Sequence, residues 1–202
     1  VQYGGVYADI DVECLKPIDE WNIQHGNDAA VLLGVENYEP NRSPHKYHVT
    51  NWVMAAMPGH PLLGLMPAVV TRTIQQQYFA LARTKTAPLS PQLYEAGILD
   101  RTGPAALTMA MYDFFDSIKF DLNGVAKDVL VGGEGVVAGG ARVLPLVLLG
   151  SGWEVAEARS KGRQYSCADL AKDKPQALVC HMFHGTWRAQ WSFRQKYTYD
   201  NC

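Results

Sequence analysis

The chain opens on VQYGGVYADIDVECLKP, an apolar, β-prone strand that follows a Gly4-Gly5 pair and delivers two carboxylates, Asp9 and Asp11. Val6, Tyr7 and Ile10 flank the acids with side chains suited to a sheet, so the pair is not part of a solvated charge run. The fold must therefore place a strand end where two acids find partners, because a buried carboxylate without one is costly. A divalent cation is such a partner. Two carboxylates one residue apart can both reach a hard cation through oxygen, and such cations keep open positions for ligand phosphates. Gly4 and Gly5 have no Cβ, which lets the backbone approach that ligand closely. Asp-x-Asp also occurs by chance in solvated loops, and the apolar flanks are what favour the metal reading here.

A length of 202 residues with 48% hydrophobic content fits one folded domain with a sizeable core. Lys and Arg number 18 against 20 Asp and Glu, a net charge of -2, which argues against a nucleic-acid partner and leaves small ligands or carbohydrate. The longest apolar stretch, residues 143–149, is far short of the roughly 20 needed to span a bilayer. No basic-then-apolar leader precedes VQYGG, so the chain reads as a fragment of a longer protein. Cys14, Cys167, Cys180 and Cys202 form no Cys-x-x-Cys pair. Either they are isolated thiols, or disulfides link them in one of three connectivities, with Cys167–Cys180 the shortest sensible loop.

A strand around residues 6–8 leads into the acidic pair, and residues 12–15 continue extended until Pro17. Residues 29–35, AAVLLGV, read as a fully buried strand. The polar stretch 36–48, with Pro40 and Pro44, reads as a loop without regular structure. Helices are expected over 61–85, with Pro67 a kink or restart, and over 104–116, where Ala105, Ala106, Met109 and Tyr112 would pack on a sheet. Further strands are expected at 128–131, 142–148 and 177–183. The stretch GGEGVVAGG between the first two lacks the spacing of a phosphate-binding loop and reads as a flexible linker. Strands alternating with helices give an α/β class with a mixed sheet.

Several further residues invite function. Asn51 precedes the apolar run WVMAAM, where an unpaired amide is costly, so it either makes a specific bond or ends a strand. Thr102, Gly103 and Pro104 suit a helix N-terminus, as a plain cap or facing a cleft. His181 lies on an apolar stretch and is either a core histidine or a ligand. Trp187 is a core aromatic or a flat wall for a ligand, and the Thr186 hydroxyl can bond a phosphate oxygen.

GGVYADID with ECLKPID, NWVMAAMPGHPLL at 51–63, TGPAALT at 102–108 and HMFHGTW at 181–187 resemble, in that order, blocks of one glycosyltransferase family. It includes the fungal initiating α-1,6-mannosyltransferases and the inositol phosphorylceramide mannosyltransferases, a family 32-like group. The resemblance implies a GT-A fold whose upstream nucleotide-binding half is absent, so that residues 1–202 form the C-terminal portion of a single catalytic domain. It implies a configuration-retaining transfer of a hexose, mannose from GDP-mannose, to a glycan or glycosphingolipid, assisted by Mn²⁺ or Mg²⁺. Asp9 and Asp11 become catalytic residues, with Asp11, Asp9 and His181 around the metal and Gly4, Gly5, Tyr7, Asp9, Asn51, Thr186 and Trp187 around the donor. His181 is then expected beside Asp11, while His184, three residues on along a strand, faces away or toward the acceptor. Met182 replaces the second histidine of the family block. The resemblance also implies a Golgi or secretory-lumen location and a type II membrane parent, with its anchor outside this segment. Two other readings compete: a truncated, non-catalytic carbohydrate binder, and a haloacid-dehalogenase phosphatase, whose pattern Glu13 does not continue.

Overall fold

The computed structural model describes residues 2–21, 30–41, 44–84, 97 and 100–184. Its elements in chain order are β1 (Gly5–Ala8), β2 (Val12–Cys14), β3 (Val31–Tyr38), β4 (Tyr47–Val49), β5 (Val53–Ala56), α1 (Pro61–Gly64), α2 (Met66–Thr84) and α3 (Pro104–Ser117). There follow α4 (Lys127–Val131), β6 (Val136–Ala138), β7 (Ala141–Leu144), α5 (Leu146–Leu149), α6 (Trp153–Ser160), α7 (Cys167–Asp173) and β8 (Val179–His181). The main sheet runs β1-β5-β3-β7-β6 with β4 added to β3, and β2 pairs β8 separately. β1–β5 and β5–β3 are antiparallel while β3–β7 is parallel. β1, β3 and β7 therefore point the same way and end on one rim of a mixed α/β sheet, an arrangement compatible with a GT-A-like fold.

Alternation along β3 sorts the core. Val31, Leu33 and Val35 meet Leu107, Met111 and Phe115 of α3 on one face. Leu32 meets Trp52, Leu149, Leu178 and Val179 on the other. A strand buried on both faces must be apolar at successive positions, which is why the run at 29–35 was legible. Gly34 is required here, because a Cβ would lie 2.3 Å from Leu149 Cβ and push α5 off the sheet.

Five expectations change. Residues 36–48 are not a loop throughout: β3 continues to Tyr38 and pairs with β4, Tyr38 facing Tyr47 with ring centroids 5.0 Å apart. Residues 128–131 are helical, not extended. Leu130 alone is buried, and Gly132 N–H closes the turn on Asp128 O. The strand at 142–148 stops at Leu144, because Pro145 has no N–H for the ladder and the next residues form α5. GGEGVVAGG contains β6, joined to β7 by Gly139 and Gly140 with φ of +57° and +78°, a tight turn that needs glycine at both positions. On α3, Tyr112 does meet the sheet, but Ala106 packs with Val69 of α2, with Met109 beside them. The restart at Pro67 is seen: α1 ends at Gly64 and α2 begins at Met66.

Cys167 and Cys180 are joined, fastening the start of α7 to β8, while Cys14 is a free, exposed thiol. Cys202 lies outside the described residues. Among the described residues, no helix is long and apolar enough to cross a membrane.

Candidate active site

β1 carries the chain to the rim, where Asp9 N–H donates to Trp52 O at 2.8 Å and a turn, closed by Val12 N–H on Asp9 O at 3.1 Å, carries both half-buried acids before β2 begins. β2 pairs with β8 so that Val12 faces His181. This pairing joins the two ends of the sequence. His181 Nε2 lies 3.2 Å from Asp11 Oδ1, as the family resemblance implied, and Asp9, Asp11 and His181 each offer a ligand atom within 4.8 Å of the others.

The imidazole is held from several sides. It stacks on Trp52 with centroids 4.7 Å apart and planes 3° from parallel, and the edge of Phe183 closes it at 4.0 Å. Gly152, with φ of +131°, lies against its backbone so closely that a Cβ would come within 2.1 Å of His181 O. Burial pushes the imidazole pKa below its ordinary 6.5, against the pull of Asp11 and Asp9. His181 is therefore neutral at pH 7, the form that ligates a cation. Its Nδ1 is buried without a partner among the described residues.

Asp11 behaves as a carboxylate at any ordinary pH. Burial pushes its pKa up, but the His184 N–H, which donates to Oδ2 at 2.9 Å, and the His181 ring outweigh burial and hold it below the usual range. Tyr7 donates its hydroxyl to Asp9 Oδ1 at 2.5 Å. That bond, then burial, then the charge of Asp9, push the phenol up to about 12.

His184 comes to the site through its backbone. β8 ends at His181, and Phe183 turns the chain with φ of +49°, so strand alternation no longer governs position 184 and its N–H returns to Asp11. Gly4, Gly5, Tyr7 and Asn51 come together along a cavity of about 640 Å³, with Thr102 and Gly103 at its wall and Met54, Met66 and Leu107 supplying apolar lining. Gly103 is the N-cap of α3 and makes no side-chain cap. The Asn51 amide has no hydrogen bond among the described residues. Gly4 is fixed by the chain itself, since its φ is +69° and a Cβ would lie 2.7 Å from Ala56 O, whereas nothing approaches a Cβ at Gly5. Thr186 and Trp187 lie outside the described residues.

Sequence reasoning missed Trp52 as the platform under His181, and it placed Glu36 in a polar loop. Glu36 is half-buried on β3, and burial raises its pKa from 4.5 to about 7. The folded state thus holds this proton more tightly than the unfolded chain. The associated stability is complete below about pH 4.5 and is lost as pH rises through about 7. Glu36→Gln, which does not titrate, is expected to be more stable than wild type by about 2 kcal/mol at pH 8, with the gap closing toward pH 4. Urea unfolding at the two pH values measures it.

The first 27 residues match the family pattern described as the glycosyltransferase sugar-binding region containing the DXD motif. Over that stretch the chain is similar to glycosyltransferases that carry the DXD motif. More particularly, the chain is 29% identical over 130 residues to the initiation-specific alpha-1,6-mannosyltransferase of Candida albicans, covering 57% of this chain and 32% of that protein. It is 25% identical over 195 residues to the protein of that name in Schizosaccharomyces pombe, covering 92% of this chain and 43% of that one. It is also 27% identical over 135 residues to the putative glycosyltransferase HOC1 of Saccharomyces cerevisiae, covering 63% and 32%. These matches support a glycosyltransferase similar to the fungal mannosyltransferases. The chain spans 32% to 43% of these relatives' lengths. No solved structure matches.

Proposed function

We propose that this chain is the C-terminal portion of a GT-A catalytic domain and works in a metal-dependent, configuration-retaining transfer of mannose from GDP-mannose to a glycan or glycolipid. One observation carries the reading: Asp9, Asp11 and a neutral, buried His181 converge within 4.8 Å at the rim where β1 ends. Two carboxylates with one imidazole fit a borderline-hard cation, Mn²⁺ more closely than Mg²⁺. When bound, that ion acts as a Lewis acid on the donor diphosphate and stabilises the charge that develops on the leaving phosphate.

The chain's own residues position the reactants. The His184 N–H and the Trp52 ring hold Asp11 and His181 in place, and Tyr7 orients Asp9, whose free oxygen faces the donor. Among the described residues no further carboxylate joins the three, and we take the acceptor hydroxyl to attack from the face of the leaving group and to pass its proton to the departing phosphate. The Cys167–Cys180 disulfide supports an oxidising compartment, in keeping with a Golgi or secretory lumen and with a membrane-anchored parent protein.

The test is a panel of nucleotide sugars with the full polypeptide that bears this chain. Turnover of GDP-mannose with Mn²⁺, abolished by EDTA and restored by Mn²⁺, is the expected result. Turnover of UDP-galactose instead would overturn the donor and leave the class, whereas sugar binding without any turnover would favour the non-catalytic alternative.

A further inference from the structure

The Asp11 carboxylate is held by a residue that the sheet does not place. β8 ends at His181, and it is His184, three residues further on, whose N–H donates to Asp11 Oδ2 at 2.9 Å. To reach it, Phe183 adopts φ of +49°, in the left-handed region that bulky L side chains rarely enter. Met182 N–H donates to Asp11 O at 2.9 Å, but that bond fixes the backbone before the turn and not the turn itself. A strained conformation persists only where its surroundings impose it, so other contacts must hold Phe183.

α6 and the two residues before it supply those contacts, and they meet three successive residues of the turn. Ser151 O accepts from His181 N–H at 3.1 Å, and Gly152 packs against the same backbone. Arg159 Nη1 donates to Met182 O at 2.8 Å. The Trp153 indole stacks on Phe183 with ring centroids 4.1 Å apart and planes 25° from parallel, while the His181 ring meets the same phenyl at 4.0 Å. The helix is anchored in its turn, because Val155 packs with Leu170 and Cys180, and Glu154 pairs with Lys174 at the end of α7. Trp153 and Arg159 themselves are not core residues. Trp153 is 52% exposed at the first position of α6 and Arg159 is exposed in its last turn, so what their side chains hold is the turn after β8.

We infer that Trp153 and Arg159 are positioning residues for the metal site: together they hold the Phe183 turn, and through the His184 N–H they orient the Asp11 carboxylate before a cation binds. Neither touches the cation or the donor. Ligands fixed in advance lose less freedom on binding, so a loosened turn weakens the hold on the cation more than it slows the chemistry that follows. The inference deepens the proposed function and rests on it for the cation, whereas the hold on the turn is a property of the metal-free protein.

Two measurements on the full polypeptide test this without turnover. Backbone hydrogen exchange over residues 181–184 in the metal-free protein, followed by mass spectrometry, reads the hold on the turn, and Mn²⁺ binding without donor, followed by electron paramagnetic resonance of the free ion, reads its consequence. Trp153→Ala and Arg159→Met are each expected to speed exchange in that segment and to weaken Mn²⁺ roughly fivefold, the loss expected of about one hydrogen bond or ring contact. Trp153→Phe and Arg159→Lys, which keep a ring and a donor, are expected to recover most of the affinity. In turnover, the Mn²⁺ concentration for half-maximal rate should rise by a larger factor than kcat falls. Unchanged exchange and unchanged Mn²⁺ affinity in both variants would overturn the inference, as would faster exchange with unchanged affinity. Weaker Mn²⁺ binding accompanied by faster exchange throughout the chain and a lower melting temperature would also overturn it, since that is general loss of structure. Faster exchange confined to 181–184 in a protein whose wild type binds no Mn²⁺ would keep the hold on the turn and sink the metal reading instead.

Discussion

Asp11→Asn is expected to cut sugar transfer by about a thousandfold or more while the protein still folds. Lewis-acid stabilisation of a leaving phosphate is worth several kcal/mol, and each 1.36 kcal/mol is a factor of about ten in rate. The amide keeps the local bonds: its oxygen still accepts from the His184 N–H, and its NH₂ can donate to the neutral His181 Nε2. What disappears is the negative charge. Asp11 has a depressed pKa, so its contribution to folding is present above the ordinary carboxylate range and lost only as pH falls through its folded value. The stability cost of the variant at pH 7 is thus about 2 kcal/mol, the size of one charged hydrogen bond. Initial rates at saturating donor and Mn²⁺ measure the loss. Near-normal turnover with metal present would remove Asp11 from the site.

Cutting the Cys167–Cys180 bond is expected to have the second-largest effect. A loop of 13 residues closed by a disulfide contributes about 3 kcal/mol in the chain-entropy account. For a domain of this size that is a fall of roughly 10 °C in melting temperature. The consequence is also catalytic. Cys180 precedes His181 on β8, a three-residue strand paired with β2 along one edge and met by Ser151 and Gly152 at His181. The double variant Cys167→Ala, Cys180→Ala should therefore need more Mn²⁺ for half-maximal rate, because His181 is no longer fixed beside Asp11. Thermal unfolding and a metal titration read the two effects. Unchanged melting would mean that the burial of Cys167, Leu170 and Cys180 suffices to hold β8.

Much of this was legible in the sequence, for identifiable reasons. The β1 strand, the two acids and the buried β3 strand are local patterns, and Pro61, Pro67 and Pro104 mark helix starts through their fixed φ. His181 was placed beside Asp11 through family resemblance and not through any local signal, since 170 residues separate them. The misreadings arise where long-range contacts decide. DVLV at 128–131 is β-prone by composition, yet only Leu130 finds a core position, and a helical turn satisfies the backbone. Residues 136–138 became a strand because β7 offered an edge, which glycine content could not reveal. The turn at Phe183 sends the His184 N–H to Asp11, and the β3–β4 register shifts beside Glu36. Both are single-residue irregularities without a compositional sign.

The central claim is that Asp9, Asp11 and His181 hold one divalent cation for a nucleotide-sugar diphosphate. A crystal of the full polypeptide soaked with Mn²⁺ and GDP, measured for anomalous scattering from manganese, tests it most directly. The account predicts one peak at ordinary ligand distance, about 2.1–2.3 Å, from an Asp11 oxygen and His181 Nε2, with Asp9 bound directly or through water and the diphosphate completing the shell. A manganese peak elsewhere, or a diphosphate bound with no peak among these three residues, would contradict it.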